Sequence, residues 1–313
     1  MSKILAVFGA TGQQGGSIVN HVLNDPELSA TYTIRAITRD STSAKALQLA
    51  KQQGVQVVAA DISDPASLLS ALTGAHTVFI MTPPSSGLTN FETELAKAKT
   101  MADAAVEAGV GYIIFSTLPS VTEISGGKYT KVFLFDAKAA AEVYIRTLPV
   151  KSAFVSLGGF MENFRNPRSV IRRTGEDGSV ILARHDSPNA KFPLVAAAED
   201  TGKFVGAILA EPEKFEGRRI EAAVGMYSWE DVAEVMTMVM GTKVVYRQVP
   251  VDEFKQILPP TATDVFVEAY SYSEEFGYFG RNTEDLVEKG SKITRGKSTT
   301  LEEWLKAHPL ECE

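Results

Sequence analysis

A glycine-rich turn close to the N-terminus constrains the fold more than any other part of the chain. Apolar residues 4–8 predict a buried strand, and a helical pattern follows a turn with the spacing G-x-x-G-x-x-G at Gly9, Gly12 and Gly15. In dinucleotide-binding folds the first glycine allows the tight turn, the second lets the backbone approach a pyrophosphate, and the third lets the helix pack on the strand. The phosphates then lie at the positive N-terminus of the helix, so this stretch predicts a dinucleotide site.

Apolar segments and helical segments alternate through the first half of the chain. Further strands are predicted at residues 32–38, 55–62, 76–81, 112–117 and 153–157. These strands are apolar nearly throughout, which is typical of a parallel sheet covered by helices on both faces. We therefore predict an α/β protein with a Rossmann-type, doubly wound parallel sheet, and a dinucleotide-binding domain over residues 1–157.

The pattern becomes less regular after Gly158. Two capping boxes, in which a serine or threonine precedes an acidic residue by three positions, predict helices that begin after Ser228 and Thr300. We predict that residues 158–313 form a second, smaller α/β domain for a substrate or a partner. This domain is expected to be discontinuous. The segments expected to return to the main sheet lie near residues 195–210 and 219–241.

The composition argues against several classes of function. The formal net charge of -7 disfavours a broad surface for nucleic-acid phosphates, so no direct nucleic-acid binding is expected. The single cysteine, Cys312, excludes an intrachain disulfide, and four scattered histidines lack metal-ligand spacing, so no metal site is expected. No apolar segment is long enough for a membrane span or a secretory signal. We expect no membrane partner and a cytoplasmic location, with the nucleus as a second one.

Arg39 lies at the end of the second predicted strand. NAD-preferring sites place a carboxylate there on the ribose hydroxyls, whereas NADP sites place an arginine against the 2′-phosphate. Arg39 therefore favours NADP(H). The next residue, Asp40, would reverse this preference if the strand ended one residue later, and Arg39 is an ordinary surface arginine if no dinucleotide binds.

Polar candidates also follow three further predicted strands, at the sheet edge where open α/β sheets bind ligands. Asp61 could accept a hydrogen bond from an adenine amino group or cap the next helix. Thr82 and Pro83 are expected to pass the cofactor ribose with their backbone. Ser116 and Thr117 end the fifth strand and are expected at the ligand-binding edge.

Lys138 lies in the run FLFDAKAAAEVYI, on a helix predicted after the fifth strand. Short-chain dehydrogenases place a proton-donating tyrosine four residues before such a lysine, and the lysine lowers the pKa of the tyrosine and holds the nicotinamide ribose. Here that position is Leu134, so the usual acid is absent. A lysine alone could hold the ribose, or act as acid and base if burial lowers its pKa; otherwise it is a solvated helix residue.

With these residues assembled, the chain resembles the NmrA-like family of atypical short-chain dehydrogenase/reductases, of the fungal type. The resemblance covers nearly the full length. The segments that carry it are GATGQQGGSIV, ITRD, FDAKAAAEVYIR, GGFMENF, EKFEGRRI and TLEEWLKAH. The resemblance implies that NADP(H) is the cofactor. It also implies that Lys138 lies beside the nicotinamide and that Phe160 and Asn163 line the substrate side. The residues it assigns to NADP(H) binding are Gly9, Thr11, Gly12, Gln13, Gln14, Gly15 and Arg39.

The resemblance leaves two functions open, because some family members are reductases and others are regulators. As a reductase, the protein would let NADPH deliver hydride to a carbonyl, imine or activated alkene held between Ser116, Lys138 and Phe160. C-terminal aromatic residues would then wall an apolar pocket, unless they form the core of the smaller domain. These aromatic residues are Phe266, Tyr270, Tyr272, Phe276, Tyr278 and Phe279.

As a regulator, the protein would bind NADP(H) without turnover. The cofactor would order loops such as residues 83–89 and alter the affinity for a partner protein, in this family including a GATA-type transcription factor. The missing tyrosine favours this function, whereas the retained Lys138 favours the reductase. For the oligomeric state, we consider a homodimer.

Overall fold

The computed structural model of the protein describes residues 2–83, 90–165, 171–175, 177–256 and 258–310, so most of the loop 83–89 lies outside the described residues. The strands are β1 (Lys3–Phe8), β2 (Tyr32–Thr38), β3 (Val55–Ala59), β4 (Thr77–Ile80), β5 (Tyr112–Thr117), β6 (Lys151–Leu157), β7 (Gly159–Phe160), β8 (Ile171–Thr174), β9 (Val180–Arg184), β10 (Phe192–Val195), β11 (Arg219–Ala222), β12 (Gly225–Tyr227) and β13 (Val244–Gln248). The helices are α1 (Gln13–Asn24), α2 (Pro26–Thr31), α3 (Ala44–Ala50), α4 (Pro65–Leu72), α5 (Phe91–Glu107), α6 (Val121–Ile124), α7 (Phe133–Ile145), α8 (Ala197–Ala210), α9 (Pro212–Phe215), α10 (Trp229–Met240), α11 (Val251–Lys255), α12 (Thr263–Phe276), α13 (Thr283–Ser291) and α14 (Leu301–Ala307). A 3-10 turn spans Met161–Arg165.

Seven parallel strands form the main sheet, in the order β11-β6-β5-β4-β1-β2-β3. Strand β1 lies in the interior of the sheet, next to the central strand β4, and its Leu5 is in register with Ile34 of β2 on one side and with Thr77 of β4 on the other. The strand order reverses between β1 and β4, and a crevice opens at such a point beyond the carboxyl ends of the strands. The predicted Rossmann-type, doubly wound sheet is thus confirmed.

Each face of the main sheet carries its own apolar core, because successive side chains of a strand point to opposite faces. Leu5 and Val7 of β1 belong to the core beneath α1 and α8, whereas Ala6 and Phe8 belong to the core beneath α4, α5 and α7. All four side chains are buried. A strand buried on both faces must be apolar at every position, which explains the continuous apolar runs in the sequence.

Parts of the second half of the chain return to the main sheet. Helix α8 packs along α1, and Gly202 of α8 donates its backbone N–H to Ser17 Oγ at 2.9 Å. Strand β11 pairs with β6 and completes the sheet edge. The segment 219–241 therefore contains both β11, in the main sheet, and α10, which packs on β13 and α14.

The remaining elements form a smaller lobe. Two three-stranded sheets, β12-β10-β7 and β13-β9-β8, surround a core that contains the buried Trp229 and Trp304. The capping boxes predicted at Ser228 and Thr300 are present, and each is reciprocal with an acidic residue three positions later. Across the described ranges, no helix combines the length and the apolar character that a membrane crossing requires.

Candidate cofactor and substrate site

The glycine turn joins β1 to α1 in a conformation that only small residues permit. Gly9 has φ of +65°, in the left-handed region, and its carbonyl accepts the backbone N–H of Gly12 at 2.8 Å. A Cβ on Gly15 would lie 2.4 Å from the Gly9 oxygen, which is shorter than any tolerated contact. The helix N-terminus has no side-chain cap, so its first N–H groups are available to an anion.

Gln14, in the first turn of α1, has a buried amide oxygen Oε1 that accepts no hydrogen bond from any described residue. A buried acceptor without a donor costs free energy, on the order of 1–3 kcal/mol. The side chain also lines a large cavity beside the turn. This oxygen is therefore placed to accept a hydrogen bond from a ligand that the turn holds.

The cavity has a volume of about 650 Å³, within the range of small-molecule sites. It lies at the carboxyl ends of the central strands, where residues following β4, β5 and β6 line one wall and residues of the smaller lobe line the other. The predicted site residues that line it are Gln13, Gln14, Thr82, Ser116, Lys138, Phe160 and Asn163. Leu134, which occupies the position of the usual tyrosine, lines it as well.

Lys138 is largely buried at this cavity, and all three of its ammonium hydrogens have acceptors. Nζ donates to Glu94 Oε1 at 3.1 Å, to the Thr82 carbonyl at 3.2 Å, and to Thr82 Oγ1. Burial lowers the pKa of the Lys138 ammonium, and the adjacent Glu94 carboxylate opposes that shift. The Lys138 side chain is therefore held by these contacts and desolvated, and it is not a solvated helix residue.

Glu94 is the partner that sequence reasoning missed. It lies on α5 with its side chain 1% exposed, and it shares one helix face with the buried Ala98, Met101 and Ala105. The signal was present in the sequence, because these positions follow the spacing of an apolar helix stripe and a glutamate interrupts it. A charged residue in such a stripe needs a buried partner.

Ser116 and Thr117 end β5, and both are buried. Both residues line the cavity, and Thr117 also donates its hydroxyl to the backbone carbonyl of Lys138 at 3.3 Å. Thr117 thus ties the end of β5 to α7, the helix that carries the lysine.

Arg39 follows directly after the last residue of β2 and is exposed. The neighbouring Asp40 carboxylate accepts hydrogen bonds from Thr42, from the backbone N–H at 2.8 Å and the hydroxyl at 2.6 Å. These bonds lower the pKa of Asp40 and occupy its Oδ1 at the start of the loop to α3. Asp40 is therefore committed to its own loop.

Asp61 follows β3 and is exposed. Its carboxylate accepts the backbone N–H and the hydroxyl of Ser63, at 2.8 and 2.7 Å, and these bonds lower its pKa. The nearby Asp64 caps α4 through the N–H groups of Ala66 and Ser67. The predicted site residues that do not line the cavity are Gly9, Thr11, Gly12, Gly15, Arg39, Asp61 and Pro83.

Some of the C-terminal aromatic residues line the cavity, and others pack in local apolar cores. Phe266 and Tyr270 on α12, with Tyr272 and Tyr278, line the cavity. Phe276 packs against Tyr272 in a local core, and Phe279 lies in another core beside β11 and α13.

An ion pair that the sequence did not indicate completes the lobe side of the cavity. Arg184 and Asp186 are both buried, and the guanidinium donates twice to the carboxylate, at 2.9 and 3.0 Å. Arg184 also stacks on the rings of Trp229 and Tyr270, 4.4 and 3.2 Å from their centroids. The two charges compensate each other, and the lining of the cavity is mainly apolar.

Comparison with known proteins places this architecture in a family. The sequence model described as the NmrA-like family matches residues 1–305. An NmrA-like family domain-containing oxidoreductase, lnaB, of Aspergillus flavus is 27% identical over 259 residues, which cover 79% of this chain and 76% of the relative.

Solved structures share the fold over nearly the whole length. NmrA, a negative transcriptional regulator, solved in complex with NADP, is 23% identical with a TM-score of 0.79 over 98% of this chain and 95% of that one. A Citrobacter sp. triphenylmethane reductase complexed with NADP(H) is 23% identical, with a TM-score of 0.74 over 97% and 99% of the two chains. Since the family model spans almost the entire sequence, the chain belongs to the NmrA-like family.

Proposed function

We propose that the protein binds NADP(H) and uses NADPH to reduce a small carbonyl, imine or activated alkene. The observation that carries this proposal is one continuous cavity, which reaches from Gln13 and Gln14 at the start of α1 to the buried Lys138. It joins a helix N-terminus suited to phosphates with a held cation, as a nicotinamide-dependent reductase requires. Relatives named as oxidoreductases and a similar fold solved with NADP(H) support it.

The preference for NADP(H) over NAD(H) rests on two neighbouring residues. The Arg39 guanidinium donates no hydrogen bond to any part of the chain that the structure describes, whereas the Asp40 carboxylate is engaged by Thr42. An arginine at this position suits a 2′-phosphate. NmrA has also been solved with NAD, and titration of this chain with both cofactors tests the preference.

The reduced nicotinamide, when bound, supplies a hydride to the acceptor carbon. The chain supplies the surroundings: Lys138 and Ser116 contact the acceptor's heteroatom, and Phe160 and Asn163 border the acceptor at the crossing between the main sheet and the lobe. Tyr270 and the other cavity-lining aromatic residues exclude water, which strengthens the electrostatic effect of the lysine.

A sensing function is the second candidate, and one specific observation favours it. Every N–H donor of Lys138 is already used by Thr82 and Glu94, and Leu134 provides no proton. In that case bound NADP(H) alters the affinity for a regulatory partner protein, and NmrA itself is named a negative transcriptional regulator.

Two measurements test these proposals. NADPH fluorescence should titrate with the purified protein, and NADPH oxidation should then be followed with a panel of quinones, aldehydes and imines. Steady oxidation with at least one acceptor is the expected result. Cofactor binding without oxidation of any acceptor, together with a cofactor-dependent change in association with another protein or copy, would replace the reductase by the sensor. Absence of NADPH binding would overturn both.

A further inference from the structure

The buried pair of Glu94 and Lys138 is the least expected feature of the cavity. The Glu94 side chain is 1% exposed and that of Lys138 is 13% exposed, with 3.1 Å between Oε1 and Nζ. The second carboxylate oxygen of Glu94 is buried and has no hydrogen-bond partner among the described residues. Lys138 thus pairs with a carboxylate in the first turn of α5, at the N-terminal end of an otherwise apolar helix face.

Stability alone does not explain this arrangement. Removing two charges from water is costly, and well-packed apolar residues in place of a buried ion pair are often as stable or more stable. An apolar residue at position 94 would continue the stripe formed by Ala98, Met101 and Ala105. The pair must therefore be assessed by what it does to the lysine.

We infer that Glu94 is a positioning residue that keeps Lys138, the proton donor of the proposed reductase, in its ammonium form at the cavity. This inference rests on the proposed reductase function. For a carbonyl or imine acceptor the step is balanced. A reduced nicotinamide dinucleotide gives a hydride to the carbon, the π electron pair moves to oxygen or nitrogen, and that atom takes a proton from Nζ. Lys138 is left as a neutral amine and regains its proton from solvent.

The hydrogen bonds around Lys138 show which contact must change and which must stay. The carbonyl and the hydroxyl of Thr82, just after β4, both accept hydrogen bonds from Nζ. One of these bonds must break before the substrate can receive a proton from Nζ. Glu94 comes from a different element, α5, and retains its hold during that exchange. Its negative charge is what makes the ammonium stable in a buried place.

Other charges near Lys138 do not replace Glu94. Lys97, on the same helix as Glu94, acts in the opposite direction and lowers the pKa of Lys138. Across the cavity, Arg184 and Asp186 neutralise each other. Lys191 and Glu274 also line the cavity from the lobe side, and their charges are opposite in sign. Lys191 is in addition paired with Glu284.

The inference is tested first without cofactor, by measuring the acylation of Lys138 as a function of pH with an amine-reactive ester and peptide mass spectrometry. Only the neutral amine reacts with the ester. Restricted access to Lys138 lowers the acylation rate by the same factor at every pH, so it does not move the midpoint of the pH dependence. In Glu94→Gln the rate at pH 7.5 should rise roughly tenfold or more relative to wild type, because a neutral amide no longer stabilises the ammonium. Glu94→Asp, which retains the charge, should remain nearer to wild type.

Asp200→Asn is the matched control. Asp200 is a fully buried carboxylate paired with Lys203 at 2.6 Å, and it does not line the cavity. This variant should lose stability yet leave the pH midpoint of Lys138 unchanged. An unchanged midpoint in Glu94→Gln, or a midpoint that moves equally in Asp200→Asn, would overturn the role of Glu94.

A second readout separates this inference from the proposed function. With an acceptor found by NADPH oxidation, the alkaline limb of kcat should move to lower pH in Glu94→Gln, by about one pH unit or more, while KM for the acceptor changes little. If acylation shifts but no acceptor is ever reduced, the positioning by Glu94 stands and the reductase fails. If the alkaline limb of kcat does not move, proton donation by Lys138 is wrong, whether or not Lys138 reacts with the ester.

Discussion

The carbonyl oxygen of Gly9 occupies the space into which a side chain on residue 15 would have to extend. A Cβ at Gly15 would lie 2.4 Å from this oxygen and 2.9 Å from Cα of Ala10, both of which belong to backbone that cannot move without opening the turn. We predict that Gly15→Ala unfolds in urea with a free energy about 1–3 kcal/mol lower than wild type and binds NADPH at least about tenfold more weakly.

Gly16→Ala is the matched control for that substitution. Its Cβ would lie 3.4 Å from the Ala10 oxygen, an ordinary contact, within the same helix. Because alanine is the better helix former, the free energy of unfolding should stay within about 1 kcal/mol of wild type, and NADPH binding should persist. Equal NADPH affinity in the two variants would contradict the role assigned to the turn.

Arg39 should determine the choice between the two nicotinamide dinucleotides. Arg39→Asp removes a guanidinium and places a like charge beside the 2′-phosphate. The Kd for NADPH should rise roughly 10- to 100-fold, the size of one or more charge-assisted hydrogen bonds, while NADH binds as well as before or better. Fluorescence titration of both cofactors measures this. Asp40→Asn should leave the NADPH titration unchanged; a loss there instead of at Arg39 would transfer the role to Asp40.

Removal of Lys138 alone should damage the fold. Lys138→Met leaves Glu94 as an uncompensated buried carboxylate, which we expect to lower the free energy of unfolding by about 3–5 kcal/mol. The double variant Glu94→Gln, Lys138→Met replaces the pair by neutral groups. Its free energy of unfolding should be only about 1–2 kcal/mol below that of wild type. Urea unfolding of both variants and of Glu94→Gln completes the cycle. If the single and double variants are equally stable, the pair is not coupled.

This coupling also decides how activity should be tested. A lysine variant that loses NADPH oxidation through local unfolding is uninformative about chemistry. Loss of turnover in the double variant, at full cofactor binding and with near-native stability, would assign the chemistry to the lysine.

A partly exposed ion pair predicts an acid-dependent loss of stability. Arg295 Nη2 donates to Asp25 Oδ1 at 3.0 Å, and this pair lowers the pKa of Asp25 from 3.8 to about 2. Because the pKa is depressed in the folded state, the stabilisation is present above about pH 4 and is lost as the pH falls towards 2. Arg295→Met should therefore cost about 1–2 kcal/mol at pH 7 and much less at pH 2, measured by urea unfolding.

Lys292→Met is the control for Arg295→Met. Lys292 and Glu288 form a pair 2.6 Å long in which both side chains are 69% exposed. An exposed pair of this kind contributes about 0–1 kcal/mol, and its loss should show little dependence on pH. A pH dependence as large as that of Arg295→Met would indicate a general charge effect.

The sequence predicted the main sheet and many of its helices because these elements depend on local patterns. Continuous apolar strands, the glycine turn after β1 and the two capping boxes are each defined within a few residues. The end of the second strand before Arg39 is defined in the same way, whereas the sequence left open whether Lys138 is buried or solvated. Helix α2 was missed, although Asp25 before Pro26 is a short helix-start signal, with Asp25 accepting the N–H groups of Glu27 and Leu28.

The parts that escaped prediction depend on contacts between distant segments. Glu94 meets Lys138 across 44 positions, and no spacing in the sequence says which charged residue lies opposite another. Arg184 and Asp186 reach the cavity because β9 and α12 pack together in the smaller lobe. The aromatic residues near the C-terminus could not be divided between cavity wall and core for the same reason.

The packing of α8 on α1 has a consequence for how the chain can be divided. Ser17 lies one turn beyond the N-terminus of α1, and its Oγ accepts a hydrogen bond from the backbone N–H of Gly202. Gly202 has no room for a side chain because Ser17 and His21 lie against it. In a truncated chain that ends at residue 157, the face of α1 that α8 covers and the edge of β6 that pairs with β11 would be exposed to solvent. We therefore expect no autonomous dinucleotide-binding fragment. A bound cofactor should raise the melting temperature of the full-length protein as one cooperative unit.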